Sequence, residues 1–149
     1  MTSKAVMDDF IAQKSLAIIG VSRGGKKFGN MVFRELTSKG YELYPIHPDA
    51  EMLEGVPAYK DFSSLPKPVG GVIVIVPPAQ TELVVHQAAQ AGIKRIWMQQ
   101  GSESETAIKY CRENGISEVH GECIMMYTGK AGVHKFHRWV WKVLGKAPK

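Results

Sequence analysis

Apolar and polar positions alternate between two periods along this chain, and the alternation predicts a succession of helices and strands. Residues 5–13 place Val6, Phe10 and Ile11 on one helical face. Leu16-Ala17-Ile18-Ile19 is then a short unbroken apolar run ending at Gly20, the pattern of a strand buried on both faces. After a glycine-rich stretch, Val32, Phe33 and Leu36 recur at helical spacing over residues 30–39, and Gly40 supplies the left-handed residue beyond the helix end. Residues 41–46 predict a second strand, stopped by Pro48. Little periodicity follows over 47–70, where Pro48, Pro57, Pro66 and Pro68 predict an irregular excursion with a short turn around 62–65. Residues 71–76 form the plainest strand, rich in β-branched side chains and ended by Pro77-Pro78. A helix over 81–91 with Gly92 past its end and a fourth strand over 95–98 come next. Ser102, with Glu105 three residues later, has the spacing of a capping box opening a helix that ends at Gly115. A short fifth strand over 116–120 and a basic, aromatic helix over 132–144 complete the chain.

Strands separated by helices at this spacing predict βαβ units and a parallel sheet. The expected fold is therefore α/β: a doubly wound, five-stranded, Rossmann-like parallel sheet with helices on both faces, in a single domain over 1–149. Numbering the predicted strands along the chain, the expected order is 3-2-1-4-5. In such sheets ligands sit beyond the carboxyl ends of the strands, where the winding reverses. That rule selects residues 20–30, 46–49, 76–79 and 99–101.

Composition narrows the class. With 149 residues, 44% hydrophobic and 22% charged, the chain has the balance of a globular domain. No apolar run approaches the ~20 residues needed to span a bilayer. The first residues carry Asp8 and Asp9 and lack the apolar stretch of a secretory signal. Cys111 and Cys123 form neither a disulfide framework nor a CxxC metal pattern, and a reduced, cytoplasmic setting is expected. The net charge of +5 favours anionic partners, although a solvated basic surface accounts for it equally well.

The chemistry concentrates in Gly20-Val21-Ser22-Arg23-Gly24-Gly25-Lys26-Lys27-Phe28-Gly29, between a buried strand and a helix. Free backbone N–H groups and the positive helix end attract phosphate there, and glycine lets a ligand approach closely. A dinucleotide fingerprint matches at Gly20 and Gly25, but Ser22 stands at its second glycine, and the acidic ribose partner is reduced to Asp49 beyond Ile46-His47-Pro48. A Walker A loop matches at Gly20, Gly25 and Lys26, but Lys27 replaces the magnesium-binding hydroxyl. Coenzyme A, with a pyrophosphate and a further 3′-phosphate, suits both the N–H cradle and the two lysines. A tight turn that merely joins strand to helix is the bland alternative.

The remaining candidates favour structural roles. Cys123 follows His120 as H-x-x-C, two ligands without a third, which points to a buried, inert thiol and no metal site. Cys111 sits mid-helix and is expected in the core, and His86 is expected at the surface. His134 and His137 share a face of a basic helix whose Phe136, Val140, Val143 and Leu144 form an apolar stripe. Packing on the sheet is favoured over nucleic-acid or membrane binding for this helix. Trp139 and Trp141 cannot both face inward, so a homo-oligomer or partner-protein contact through it is expected.

Five runs together resemble the small CoA-binding protein family: Ala17–Ser22, Gly40-Tyr41 with Tyr44–Pro48, Val76-Pro77-Pro78, Gly92–Gly101 and Glu122–Met125. That family is similar to the N-terminal domain of the succinyl-CoA synthetase α subunit. The resemblance covers about 14–126. The chain departs from it at Gly24-Gly25, where a proline is common, and at Met126-Tyr127-Thr128, where an acidic residue and a histidine are common. It implies binding of coenzyme A or an acyl-CoA by a stand-alone domain. Gly20, Val21 and Ser22 would border the nucleotide, with Gly25, Lys26 and Lys27 in the phosphate loop. His47 and Pro48 would lie at the adenosine end. Val76, Pro77 and Pro78 would line the pantetheine path, and Gln99, Gln100 and Gly101 its far side. Binding without turnover is expected, with no catalytic residue assigned. An NAD(P)-dependent oxidoreductase and an interaction protein acting through the C-terminal helix rank below it.

Overall fold

The computed structural model describes residues 3–128. The chain runs α1 (Lys4–Ile11), β1 (Ser15–Ile19), α2 (Phe28–Ser38), β2 (Glu42–Ile46), β3 (Met52–Leu53), β4 (Val56–Pro57), a 3₁₀ turn at Phe62–Ser64, β5 (Gly71–Val74), α3 (Pro78–Gln90), β6 (Arg95–Gln99), α4 (Glu105–Glu113) and β7 (Ser117–Glu122). The expected 132–144 helix, with its histidines and tryptophans, lies outside the described residues.

The architecture is the expected α/β one: five strands pair in parallel, with helices on both faces. Every second residue of each strand joins one of two cores. Leu16, Ile18, Ile73 and Trp97 pack against α1 and α2 through Phe10, Val32, Phe33 and Leu36. Ala17, Val72, Val74, Ile96 and Met98 pack against α3 and α4 through Val84, Val85, Ala88, Ala107 and Cys111.

The strand order corrects the sequence-based one. The sheet runs β2-β1-β5-β6-β7, so the third predicted strand lies beside the first and on the opposite side from the second. The reason is legible in the side chains. All four residues of β5 are buried, as an interior strand requires, whereas β2 carries exposed Glu42 and the donor-less Pro45. An order of 3-2-1-4-5 would have put Pro45 in the middle of the ladder. At the edge, β2 gains only the isolated bridge of Ile46 with Tyr59.

Local corrections follow from backbone chemistry. α2 starts at Phe28 and α3 at Pro78, each two or three residues earlier than predicted. Pro78 occupies the first turn of its helix, where no N–H is required. The predicted capping box at Ser102 and Glu105 does not form: Ser104 caps α4 by accepting from the Ala107 N–H. Ser102 is instead buried, its carbonyl accepting from the Thr81 hydroxyl at 2.6 Å. The excursion over 47–70 holds the unpredicted β3–β4 hairpin as well as its expected short turn.

The leading helix is tied down at three points. Phe10 lies 5.4 Å from Trp97, Arg95 pairs with Asp9 at 2.7 Å, and the Tyr41 hydroxyl donates to the Ile11 carbonyl at 2.7 Å. Burial pushes the Tyr41 phenol from 10.0 up to about 12. Because the folded value lies above the unfolded one, the contribution is complete below pH 10 and is lost as pH rises through about 12. Tyr41→Phe is expected to lower unfolding free energy at pH 7 by about 1 kcal/mol. Denaturant melts should show the gap between the two proteins closing in that alkaline window.

Candidate functional site

The chain leaves β1 for β2 on one side and returns to β5 on the other, so the winding reverses between the carboxyl ends of β1 and β5. In strand order β2, β1, β5, β6, the residues following these ends are His47-Pro48, the Gly20–Gly29 loop, Val76-Pro77-Pro78 and Gln100-Gly101. Three strand spacings make this row about 15 Å long. All four segments selected from sequence therefore lie along one edge, with the proline segment directly beside the glycine-rich loop.

Two close approaches shape the crevice. Gly20 has φ +123, and a Cβ there would overlap the Ile75 carbonyl. Gly29, in the first turn of α2, sits so that a Cβ would overlap the Gly20 carbonyl. Both obstacles are backbone. Gly29, not Gly25, therefore makes the close helix–strand contact that the dinucleotide fingerprint assigns to its third glycine. Gly25, at φ +75, lies farther out on the loop, where a Cβ would meet no backbone and only the Glu54 carboxylate, at 4.0 Å. Between them, the buried Asn30 carboxamide binds the loop: its Oδ1 accepts from the Ser22 N–H at 3.0 Å and from the Ser22 hydroxyl at 2.8 Å, and its Nδ2 donates to the Ser22 carbonyl at 2.9 Å.

The electrostatics favour an anion. α2 has Lys27 as its N-cap and no side-chain cap bond, and α3 has Pro77 and none either. By contrast, α1 and α4 are capped by Ser3 and Ser104. Both uncapped starts face the winding reversal. Lys26 and Lys27 are exposed at the positive end of α2, where cations are destabilising unless an anion joins them. Neither they nor Arg23 has a partner among the described residues.

Other predicted residues divide into lining and support. Val21 is 3% exposed and packs into the α1/α2 core, so only its backbone borders the loop. Val76 is half-buried, while Pro48, Pro77, Pro78, Gln100 and Gly101 are exposed. His47 Nδ1 accepts from the N–H groups of Asp49 and Ala50 at 3.0 and 3.1 Å, which leaves Nε2 as the ring's donor. Gln99 is 2% exposed, and its Oε1 accepts from the Ile124 N–H at 3.0 Å, opening a helical turn over 124–128. Its Nε2 has no partner among the described residues, a buried donor that calls for an acceptor.

Residues away from the row are accounted for locally. Cys111 is buried, and its thiol is pushed up to about 12 by burial and by the nearby Glu118. Cys123 was expected to be buried but is half-buried, because it lies just past the end of the β7 edge strand. His86 stacks on Tyr110 at 3.8 Å. An open groove of about 480 Å³ lined by Phe62, Leu65, Pro66, Val69 and Ile93 lies where β5 and β6 begin, at the opposite edge of the sheet. Sequence reasoning included Gly29 and Asn30 only as members of the 20–30 segment, without a role, and missed Arg34 and Glu54. The recurrence of Gly29 nine residues after Gly20 was the available signal for its role.

Over residues 14–129 the chain matches the CoA binding domain family, and it belongs to that family. It is 29% identical over 109 residues to the α subunit of an ADP-forming acetate–CoA ligase II from Pyrococcus furiosus, a match covering 72% of this chain and 24% of the subunit. The chain thus spans about a quarter of that relative's length. An uncharacterized protein, YneT, of Bacillus subtilis is 26% identical, with 82% of this chain and 91% of that protein covered. Among solved structures, a conserved hypothetical protein of Pyrococcus furiosus superposes with a TM-score of 0.73 at 35% identity, covering 77% of this chain and 99% of that one. The family and the alternation expected from sequence agree.

Gly29→Ala should lower unfolding free energy by more than about 2 kcal/mol, because two backbone segments must separate to admit a methyl group. Gly24→Ala, with nothing within 4 Å of its added carbon, should stay within about 0.5 kcal/mol of the parent. Paired chemical denaturation curves check both.

Proposed function

We propose that this chain binds coenzyme A along the row of strand ends, as a binding module and not as an enzyme acting alone. The observation that carries the reading is the start of α2: an uncapped helix end with an N-cap lysine, a second lysine beside it, and glycines that bring backbone N–H groups to the surface. That donor set suits phosphate. Lys26, Lys27 and the amides over residues 26–29 would hold the cofactor's phosphates. His47 and Pro48 would meet its adenosine end, with the Nε2 donor available to it.

Val76, Pro77 and Pro78 present an apolar, donor-poor wall suited to the pantetheine chain. Gln100 and Gly101 lie at the far end, and the Nε2 donor of Gln99, unpartnered among the described residues, matches the amide carbonyls of pantetheine. An acyl group on the thiol would extend beyond them. Membership of the CoA binding domain family supports this ligand over a dinucleotide, as does Ser22 at the fingerprint's middle glycine. The described residues hold no helix long and apolar enough to cross a membrane. We assign the domain to the cytoplasm.

Calorimetric titration with CoA, acetyl-CoA, dephospho-CoA, NADPH and ATP tests the reading. CoA should bind best, and loss of the 3′-phosphate should weaken it. Lys26→Ala and Lys27→Ala should each weaken it roughly three- to tenfold, more at low salt than at high. A preference for NADPH would make the site a dinucleotide one. No binding to any of the five would return the loop to a plain strand–helix turn.

A further inference from the structure

The β3–β4 hairpin carries an acidic residue into the basic loop. Leu53 pairs with Val56, so Glu54 and Gly55 form a two-residue turn. Their φ values are +51 and +79, the left-handed pair that such a turn favours. Glycine, asparagine and aspartate are the usual occupants, and a glutamate there works against its own Cβ. Its side chain is nonetheless held: Glu54 Oε2 accepts from Asn30 Nδ2 at 2.7 Å and from Arg34 Nη1 at 2.8 Å. The Glu54 side chain is 13% exposed.

Asn30 is the carboxamide that grips Ser22. Two donors reach its oxygen, and its nitrogen donates twice, once to Ser22 and once to Glu54, so its capacity is filled. A carboxylate only accepts. The Ser22 N–H and carbonyl define which end of the Asn30 amide each meets, and Glu54, accepting from the same Nδ2, locks the carboxamide in that orientation and in place.

We infer that Glu54 is a positioning residue that presets the glycine-rich loop through Asn30 and Ser22, a role that rests on the proposed phosphate site only for its effect on ligand. Charge alone makes the opposite forecast. Glu54 Oε2 lies 4.0 Å from the Cβ position of Gly25, beside the loop assigned to an anion, so removing it would relieve repulsion and tighten binding. Arg34 moderates that repulsion while also approaching the Gly25 carbonyl at 3.4 Å.

Glu54→Gly separates the two accounts, because glycine suits the turn and leaves the hairpin able to form. Amide hydrogen exchange of the ligand-free protein and CoA titration are measured on the parent, Glu54→Gly and Glu54→Gln. We expect Ser22 to exchange about tenfold faster in Glu54→Gly and CoA to bind about tenfold more weakly, with the melting temperature preserved, and Glu54→Gln to restore both to within about threefold by presenting its carbonyl oxygen. Unchanged Ser22 exchange, or tighter CoA binding in Glu54→Gly, would overturn the positioning role. If the parent binds no CoA while Glu54→Gly still deprotects Ser22, the clasp stands and the ligand assignment falls.

Discussion

Where α2 meets β1, the Gly29 α-carbon rests against the Gly20 carbonyl, and Gly20 in turn rests against the Ile75 carbonyl. These two backbone-on-backbone contacts hold three elements at one point. They bring the first turn of α2 down onto the end of β1, which seats Val32, Phe33 and Leu36 on the sheet. They also draw β5 close after the ladder ends, where the Ile75 N–H donates to the Ile19 carbonyl at 2.9 Å. Between its pinned ends the loop leaves Arg23, Lys26 and Lys27 exposed, with no partner among the described residues. The charge and the free amides of the crevice are thus products of a packing constraint.

That constraint also clarifies the uncapped helix starts. A serine or aspartate at position 27 would satisfy α2 internally and place an oxygen where an anion would otherwise sit. Lysine leaves the helix end open and adds attraction. The stability lost at the helix start and the affinity proposed for phosphate would have the same origin, the unsatisfied positive end of one peptide dipole array.

Much of this was legible in the sequence, because parallel strands buried on two faces show as unbroken apolar runs. Leu16–Ile19 and Gly71–Val74 needed no more than that. Strand order was harder to read: the unbroken burial of β5 and the exposed Glu42 of β2 bear on it, and Pro45 adds its information through a missing donor and not through hydrophobicity. Helix starts at Phe28 and Pro78 escaped because cap rules look for side-chain acceptors, and these starts have none. Ser102 drew the capping assignment away from Ser104 because sequence spacing cannot show that a carbonyl is already taken by Thr81. The Ser22–Asn30–Glu54 chain was invisible for a different reason. Its members come from a loop, a helix and a hairpin, and Glu54 is an atypical residue for its turn.

The ladder registers carry a kinetic consequence. β1 pairs with β2 through Ser15 and Glu42, a modest span closed by α2, but its pairing with β5 joins Leu16 to Gly71 across the whole proline-bearing excursion. Closing the longer loop costs more chain entropy before any contact repays it. The β1–α2–β2 unit can therefore assemble before β5 docks, and until it does, the inner edge of β1 stays an unpaired apolar strand. The crevice at the winding reversal is absent from that earlier species and comes into being only with the last central pairing. Ligand binding would then act on the docking equilibrium of β5 more strongly than on the β1–α2–β2 unit, because a bound cofactor would straddle the seam between them.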